Sequence, residues 1–333
     1  MQNANAIDNI DNIYAIIKSL DRDTWSHMYL VRNINNNTQY EAKVSVINEQ
    51  GGVINFDREL QITTNASALN NPYIIHLNNH GRGTIRNRGN VVNDKNYLIL
   101  EYCPKGDLFK YIWLRKLNEK QAKFIFKKII IGVQALHGAG IYHADLKLEN
   151  ILLDQQFNPK IYNFSLSRIF RQNNVNIPIN GYFGTQNYIA PQKFINVFYN
   201  GDKADIFSLG VILFSLVTHL FPFQQARNND PNYRHIINGD LGQYWNSFPN
   251  EVQTLSQEVK SLFLRMVAFN ENDRPNLDQI LADHWFDEIR NLDNQQLNQI
   301  ENNVRNEFIA RENELNNQQE EEVNDAWVFE EHF

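Results

Sequence analysis

The residues best suited to chemistry lie in one short run, His143-Ala144-Asp145-Leu146-Lys147-Leu148-Glu149-Asn150. Asp145, Lys147 and Asn150 are spaced so that their side chains can converge on one centre. The carboxylate can accept a proton from a hydroxyl, the ammonium can neutralise a phosphoryl oxygen, and the amide oxygen can bind a divalent cation. A His and an Asp in a polar loop are more often structural, so this interpretation depends on the rest of the chain.

The first hundred residues read as a small strand-rich layer. Their β-like runs are separated by polar turns, which is typical of strands joined by short connections. Strands are expected at 13–19, 25–31, 39–47, 73–77 and 97–100, a helix at 55–69, and a Gly- and Asn-rich loop at 78–95.

The later chain follows a helical period. Apolar residues recur on one face between Phe124 and Leu136. Short strands are expected at 151–153 and 160–162, a loop at 165–188, and helices at 204–220, 256–269 and 277–286. The sequence therefore predicts an α+β fold with a β-rich lobe, a short connector at 101–106 and a helical lobe that carries the run 143–150.

Seven segments resemble the motifs of protein kinases of the Ser/Thr type, and they follow one another along the chain in the same order as in that family. They are the catalytic loop 143–150, the strand Tyr40-Glu41-Ala42-Lys43-Val44, the hinge Leu98-Ile99-Leu100-Glu101-Tyr102-Cys103, the activation-segment end Gly184-Thr185-Gln186-Asn187-Tyr188-Ile189-Ala190-Pro191-Gln192, the helix start Asp205-Ile206-Phe207-Ser208-Leu209-Gly210, the pair Arg274-Pro275 and the triplet His284-Trp285-Phe286.

The resemblance implies a role for individual residues. Asp145, Lys147, Asn150 and Thr185 would be catalytic, with Asn150 and Asn163 as metal ligands. The expected nucleotide-binding residues are Leu20, Met28, Ala42, Lys43, Glu59, Glu101, Cys103, Asp107 and Leu152. Asp205 would hold the backbone of the catalytic loop, and Thr185 would hydrogen-bond near Asp145.

The resemblance also predicts the domain boundaries. Residues 1–9 form an N-terminal extension, and residues 10–289 form the kinase-like domain. Within it the N-lobe, which has one main helix, covers 10–101, the hinge 101–106 and the C-lobe 107–289. Residues 290–333 form an acidic, partly helical tail, with 13 Asp or Glu against 3 Arg in 287–333.

Two departures weaken the expected metal and nucleotide sites. The family's Asp-Phe-Gly is replaced by Asn163-Phe164-Ser165. An amide oxygen supplies no charge to Mg²⁺, which prefers hard anionic oxygens, so Mg²⁺ binding should be weak or absent. The nucleotide-covering stretch 20–28 contains no glycine, and it brings Asp21 and Asp23 towards a polyanion, at about 1–4 kcal/mol of repulsion each. Trp25 stands at the expected tip of this loop.

Three further positions are altered. Glu59 is the natural carboxylate partner of Lys43, although the usual spacing would fall near Ile62, so the sequence leaves this pair open. Gln192 stands where a Glu would pair with Arg274, which predicts a neutral hydrogen bond. Ala144 replaces the Arg that would bind an activation-loop phosphate, which argues against control by phosphorylation there.

Composition narrows the class of partner and compartment. The net charge is −7, but the body outside the acidic tail is only slightly basic, which does not suggest a nucleic-acid partner. One cysteine suits a reducing compartment, and the polar N-terminus predicts no signal peptide. The longest apolar run, 206–217, is too short to span a bilayer. An intracellular, cytoplasmic location is therefore expected.

The leading functional prediction is a pseudokinase, a kinase fold that signals by binding other proteins with absent or weak phosphoryl transfer. One alternative is an active Ser/Thr kinase that transfers the γ-phosphoryl group of ATP to protein hydroxyls. In it Asp145 would deprotonate the substrate hydroxyl while Lys43 and Lys147 neutralise phosphates. Another alternative is a scaffold that binds nucleotide without Mg²⁺.

Overall fold

A computed structural model describes residues 8–22, 26–46, 55–173, 175–195 and 197–330, without the side chains of 21–22 and 318–330. The N-terminal part is a closed antiparallel barrel of six strands in the order β1-β2-β3-β4-β6-β5. The strands are β1 (Asn9–Ile10), β2 (Tyr14–Arg22), β3 (Ser26–Asn33), β4 (Gln39–Ser45), β5 (Leu77–Asn87) and β6 (Asn90–Glu101). Alternate residues such as Val31, Ala42 and Ile99 fill the barrel.

The helix α1 (Phe56–Ser67) lies between β4 and β5 in the chain. Asn55 caps it by accepting a hydrogen bond from the backbone N–H of Arg58. Its inward face carries Ile62 and Ala66 into the large hydrophobic core, and Glu59 is buried beside them. The cap and the buried face together fix which side chains of α1 point towards β4.

The predicted loop at 78–95 is wrong, because this segment forms most of the β5–β6 hairpin. Asn87 pairs with Asn90, and only Arg88 and Gly89 lie between them, at φ angles of 48° and 77°. Two consecutive residues at positive φ make the tight turn that matches the twist of a hairpin. Of the strand predicted at 73–77, Leu77 begins β5 and Ile74 forms a single bridge with Ile161.

The C-terminal part is mainly helical, which confirms the predicted α+β class with two lobes. Its helices are α2 (Leu108–Leu114), α3 (Glu119–Gly138), α4 (Pro191–Phe194), α5 (Gly201–Thr218), α6 (Pro231–Asn238), α7 (Leu241–Asn246), α8 (Asn250–Gln253), α9 (Gln257–Met266), α10 (Leu277–Leu281), α11 (Asp287–Arg290) and α12 (Asn294–Glu330). Short strands lie between them, namely β7 (Ile141–Tyr142), β8 (Ile151–Leu153), β9 (Pro159–Ile161), β10 (Arg168–Ile169), β11 (Arg171–Gln172) and β12 (Val175–Asn176).

The central helix of this part is α5, which is apolar on all sides and buried along nearly its whole length. Nowhere in the described ranges does a helix combine the length and apolar character needed to cross a bilayer. The helix expected at 277–286 is split, because Asp283 starts a new turn by accepting a hydrogen bond from the backbone N–H of Trp285.

The last helix, α12, packs against the helical lobe. Ile300, Val304 and Phe308 are buried, and the Phe308 ring lies 5.2 Å from that of Tyr111 on α2. Arg311 is 1% exposed, and its guanidinium donates to the carbonyl oxygens of Tyr111, Arg115 and Lys116 at 2.8, 2.7 and 3.1 Å. These carbonyls end α2 and would otherwise lack intrahelical partners.

We expect Arg311→Ala to lower the free energy of unfolding by about 2 kcal/mol, because one buried and two partly buried carbonyl groups lose their donor. Arg311→Lys should recover less than half of this loss, since one ammonium cannot reproduce the planar guanidinium fork. Urea unfolding monitored by circular dichroism measures both. Ile309→Ala, on the exposed side of the same helix, is the control and should change stability little. An unchanged stability of Arg311→Ala would show that α12 does not hold α2.

Candidate nucleotide and catalytic site

The catalytic loop is fixed by one buried carboxylate on α5. Asp205 is 1% exposed, and it accepts hydrogen bonds from the backbone N–H groups of His143 and Ala144 at 2.9 and 3.1 Å. His137 lies 2.9 Å away on the same carboxylate. Ala144 has a φ of 75°, a left-handed conformation that costs a residue with a Cβ about 1–2 kcal/mol. Asp205 therefore holds the strained peptide in place, as predicted from the resemblance.

His143 is fully buried within this loop. Its Nε2 lies 3.0 Å from the carbonyl oxygen of Tyr162, and its ring packs against Phe164 at 5.4 Å. Burial lowers the pKa of His143, because charging the ring would require water that the site excludes. A neutral imidazole that donates to Tyr162 thus ties the catalytic loop to the segment before Asn163.

Three of the predicted catalytic residues form one cluster. Thr185 donates its hydroxyl to Asp145 Oδ1 at 2.8 Å, and Lys147 Nζ donates to the Thr185 hydroxyl at 2.9 Å. Lys147 Nζ also lies 3.7 Å from Asp145 Oδ2. The sequence predicted a hydrogen bond of Thr185 near Asp145, and the structure contains it. An acceptor carboxylate beside an ammonium is an arrangement that can orient a hydroxyl near a phosphoryl group.

Lys43 pairs with Glu59, which answers the question that the spacing left open. Lys43 Nζ lies 2.6 Å from Glu59 Oε1, and both side chains are buried. Lys43 Nζ also donates to Asn163 Oδ1 at 3.1 Å. Asn163 in turn donates from Nδ2 to Asn150 Oδ1 at 3.3 Å, and Asn150 donates to Asp145 Oδ2 at 2.9 Å. A continuous hydrogen-bonded chain thus runs from Glu59 to Asp145.

The orientation of the Asn163 amide follows from its neighbours. An ammonium has only donors, so the Asn163 atom that faces Lys43 must be the oxygen. The Asn163 amide N–H group then faces Asn150 and donates to its side-chain oxygen. That oxygen is one of the metal ligands that the resemblance implies. The backbone of Asn163 has a φ of 69°, which Asn and Asp tolerate better than most residues.

The oxygen atoms along this chain of hydrogen bonds are those that a Mg²⁺ ion would meet. Among the described residues of the chain, the amide oxygens of Asn150 and Asn163 both accept hydrogen bonds. Its carboxylates are those of Asp145 and Glu59, and Glu59 forms an ion pair with Lys43. Within the described part of the protein, no three His, Cys, Asp or Glu side chains lie together as a metal cluster. This donor set therefore contains fewer anionic oxygens than Mg²⁺ prefers.

Between the lobes lies a cleft of about 490 Å³, a size typical of small-molecule sites. Its lining includes these predicted site residues: Leu20, Met28, Cys103, Asp107, Lys147, Asn150, Leu152 and Asn163. Burial raises the pKa of the Cys103 thiol, so this side chain lines the cleft as an uncharged thiol. The side chain of Glu101 turns away, and it forms an ion pair with Lys160 at 2.7 Å.

Ala42 is not brought to the cleft. It is fully buried in the barrel core, and its neighbour Glu41 lines the cleft instead. Alternation along β4 puts Glu41 and Lys43 on one face and Ala42 and Val44 on the other. This alternation is a signal in the sequence that could have identified Glu41.

The motifs also missed Lys18, Lys110 and Tyr162, which line the cleft as well. The Tyr162 hydroxyl lies 3.6 Å from the sulfur of Met28 on β3, so this side chain reaches from one lobe to the other. Phe164 is buried in the main core. Asp23, Thr24 and Trp25 of the glycine-free stretch lie outside the described residues, and so does the side chain of Asp21.

The predicted hydrogen bond between Arg274 and the neutral amide of Gln192 is present. Arg274 Nη2 donates to Gln192 Oε1 at 2.7 Å, and Nε and Nη1 donate to the carbonyls of Ala268 and Lys203. Burial lowers the pKa of Arg274 to about 10. The guanidinium is thus held by neutral acceptors, and it anchors the end of the activation segment to the helical lobe.

A buried lysine beside the catalytic loop was not anticipated. Lys193 is 4% exposed and donates to the carbonyl oxygens of Ala144 and Phe183 at 3.2 and 3.0 Å. Its ammonium also lies over the rings of Tyr142, Phe183 and Tyr199. Burial lowers the pKa of Lys193 to about 8, against the opposing charges of Asp205 and Asp145. It links the catalytic loop to the activation segment through a fixed side chain.

We expect the stability of the protein to rise relative to that of Lys193→Met between pH 8 and pH 10.5. Below pH 8 Lys193 is protonated in both states, so burying its charge costs free energy. Between the folded pKa of about 8 and the ordinary value of 10.5 the unfolded chain binds more protons, so stability increases with pH. Thermal unfolding of both proteins at pH 7, 8, 9 and 10 measures the difference. A constant or falling difference would contradict the assignment of a lowered pKa to Lys193.

The fold and this site define a protein kinase of the Ser/Thr branch, and comparison with known proteins agrees. The family described as "Protein kinase domain" matches residues 14–286, so the chain belongs to the protein kinase family. The chain is 31% identical over 277 residues to CBL-interacting serine/threonine-protein kinases 18 and 13 of Arabidopsis thaliana, over 82% of this chain and 49% and 51% of theirs.

A rice relative, CBL-interacting protein kinase 32 of Oryza sativa subsp. japonica, is 36% identical over 194 residues, which is 58% of this chain and 42% of its own. The chain therefore spans about half the length of the curated relatives that it matches. Members of the family use ATP, typically with Mg²⁺.

Proposed function

We propose that this protein is a pseudokinase, which acts by binding other signalling proteins and transfers phosphoryl groups weakly or not at all. The observation that carries the proposal is the Asn163 amide. Its oxygen accepts from Lys43 and its N–H group donates to Asn150, so two expected metal ligands are engaged with each other and carry no charge. Without an anionic ligand at this position, Mg²⁺ would bind weakly and would bridge the nucleotide phosphates poorly, and transfer requires that bridge.

The other predicted site residues are also held in place by hydrogen bonds and an ion pair. Asp145, Lys147 and Thr185 are hydrogen-bonded to one another, and Lys43 is paired with Glu59. Such a network rigidifies the cleft and the adjacent activation segment, which suits a surface that partners recognise. The proposal includes an intracellular location, which the use of a single cysteine favours.

A second function is favoured by the lysines of the cleft, namely nucleotide binding without Mg²⁺. Lys18, Lys110 and Lys147 line the cleft, and Lys43 donates to Asn163, which also lines it. Ammonium groups can neutralise phosphate oxygens as point charges, so they replace part of what a metal ion would supply. In this form the nucleotide would be a structural ligand of the scaffold.

The direct test is transfer of labelled phosphate from ATP to the protein itself and to a generic basic substrate, with Mg²⁺ or Mn²⁺. Asp145→Ala is the matched control, because it removes the carboxylate placed to accept a proton from a hydroxyl. We expect the wild-type protein to label no faster than Asp145→Ala. Metal-dependent labelling that Asp145→Ala abolishes would instead identify an active Ser/Thr kinase.

A further inference from the structure

The cleft contains a carboxylate whose role the catalytic network leaves unexplained. Glu41 lines the cleft and is only 7% exposed. It lies on the same face of β4 as Lys43, because strand residues two apart share a face. A buried carboxylate accepts hydrogen bonds and cannot donate them when ionised, so its surroundings must be rich in donors.

Glu41 and Lys43 lie two residues apart on β4, where they pair across the sheet with Leu100 and Leu98. Lys43 lies beside Glu59 and Asn163, at the end where phosphates would bind. Glu41 pairs across the sheet with Leu100, next to the segment Glu101–Cys103 that joins the lobes. Glu41 and Tyr102 of that segment both line the cleft. Glu41 is therefore at the end that would hold the ring of a nucleotide.

The two purine rings present different edges to a carboxylate. Adenine offers one amino group beside ring nitrogens that are acceptors, and these repel an anion. Guanine offers an imino N–H and an amino group side by side, so both oxygens of one carboxylate can accept from it. Hydrogen bonds to a charged acceptor are stronger than neutral ones, and a low-dielectric cleft strengthens them further.

We propose that Glu41 makes this cleft select a guanine-type ring, with adjacent N–H donors, over adenine. The inference rests on the proposed metal-independent nucleotide binding, and it adds the class of ligand. It does not require Glu41 to lack other partners, since a carboxylate has about four acceptor sites.

Isothermal titration of the full chain with GDP and with ADP, both in EDTA, tests the selection. We expect GDP to bind at least about tenfold more tightly than ADP, the effect of one or two charge-assisted hydrogen bonds. Glu41→Gln and Glu41→Ala should reduce this ratio to near one, because an amide repels one of the two donors and alanine accepts from neither. Asp94→Asn, an exposed carboxylate on the neighbouring strand β6, changes the net charge equally and should keep the ratio.

Equal or tighter binding of ADP by the wild-type protein would overturn the proposal. So would a ratio that Glu41→Gln leaves unchanged, or the absence of GDP binding at millimolar concentration. If neither Glu41 variant folds, competition between guanosine and adenosine on the wild-type protein decides whether the cleft prefers guanine. Absence of binding of both GDP and ADP would overturn the metal-independent nucleotide binding on which the inference rests, whereas binding of both without a preference for GDP would overturn the base selection alone.

Discussion

Asn163→Asp is expected to create a response of nucleotide binding to Mg²⁺ that the wild-type protein lacks. The new carboxylate adds a full negative charge beside Asn150, and it removes the N–H donor that now uses the Asn150 oxygen. Lys43, at 3.1 Å from the present Asn163 oxygen, remains a suitable partner for the second carboxylate oxygen. The backbone should not move, because Asp accepts the left-handed φ of this position nearly as well as Asn.

The quantity to measure is the ratio of nucleotide affinity with Mg²⁺ to that with EDTA, for both GTP and ATP. We expect the ratio to rise by about tenfold or more in Asn163→Asp, because a charged ligand is worth at least about 1.4 kcal/mol to the bound cation. Asn36→Asp, in the exposed turn after β3, adds the same charge elsewhere and is the control. A ratio that Asn163→Asp leaves at the wild-type value would locate the metal defect at another residue.

Asp205→Ala is expected to lower the free energy of unfolding by about 3–5 kcal/mol. Two buried backbone N–H groups, those of His143 and Ala144, lose their acceptor, and each such loss costs about 1–3 kcal/mol. The strained backbone of Ala144 also loses the hydrogen bond that stabilises its conformation. Because Asp205 is only 1% exposed, water cannot readily replace the lost acceptor.

Urea unfolding measures the loss, and hydrogen exchange at His143 and Ala144 shows where it arises. Asp240→Ala, a half-exposed carboxylate without a side-chain capping bond, should change stability by less than about 0.5 kcal/mol. If Asp205→Ala were as stable as Asp240→Ala, or if exchange rose everywhere except in the catalytic loop, the role given to Asp205 would be contradicted.

The sequence predicted the elements whose signals are local. The run 143–150, the apolar face of α3 and the buried helix α5 have spacings that follow directly from helix and loop geometry. The order of the motifs then predicted the class of fold. The hairpin β5–β6 was missed because its polar, Gly-containing strands look like a loop, and only the two-residue turn at Arg88 and Gly89 indicates otherwise.

Site residues were harder to predict where position depends on tertiary packing. Glu59 could not be assigned as the partner of Lys43 from residue spacing, because this ion pair depends on how α1 lies against β4. Lys193 carries no local signal, since its acceptors are carbonyls of two distant segments. Glu41 differs, because strand alternation from Lys43 would have indicated it in place of Ala42.

The domain boundaries at 9, 101–106 and 289 stay predictions. The match of the family to residues 14–286 is compatible with them, and α12 continues beyond as a helix. Limited proteolysis followed by mass spectrometry would locate the boundaries, with α12 expected to remain attached through Phe308 and Arg311.

Under the proposed function, Asn163 leaves the cleft without a working Mg²⁺ site. Thermal unfolding of the wild-type protein with GTP or ATP, each with Mg²⁺ and with EDTA, tests this most directly, because a ligand bound only by the folded state raises the melting temperature. We predict that Mg²⁺ adds less than about 1 °C to the shift caused by either nucleotide alone. A further rise of more than about 3 °C that requires both Mg²⁺ and nucleotide would contradict the proposed loss of the metal site.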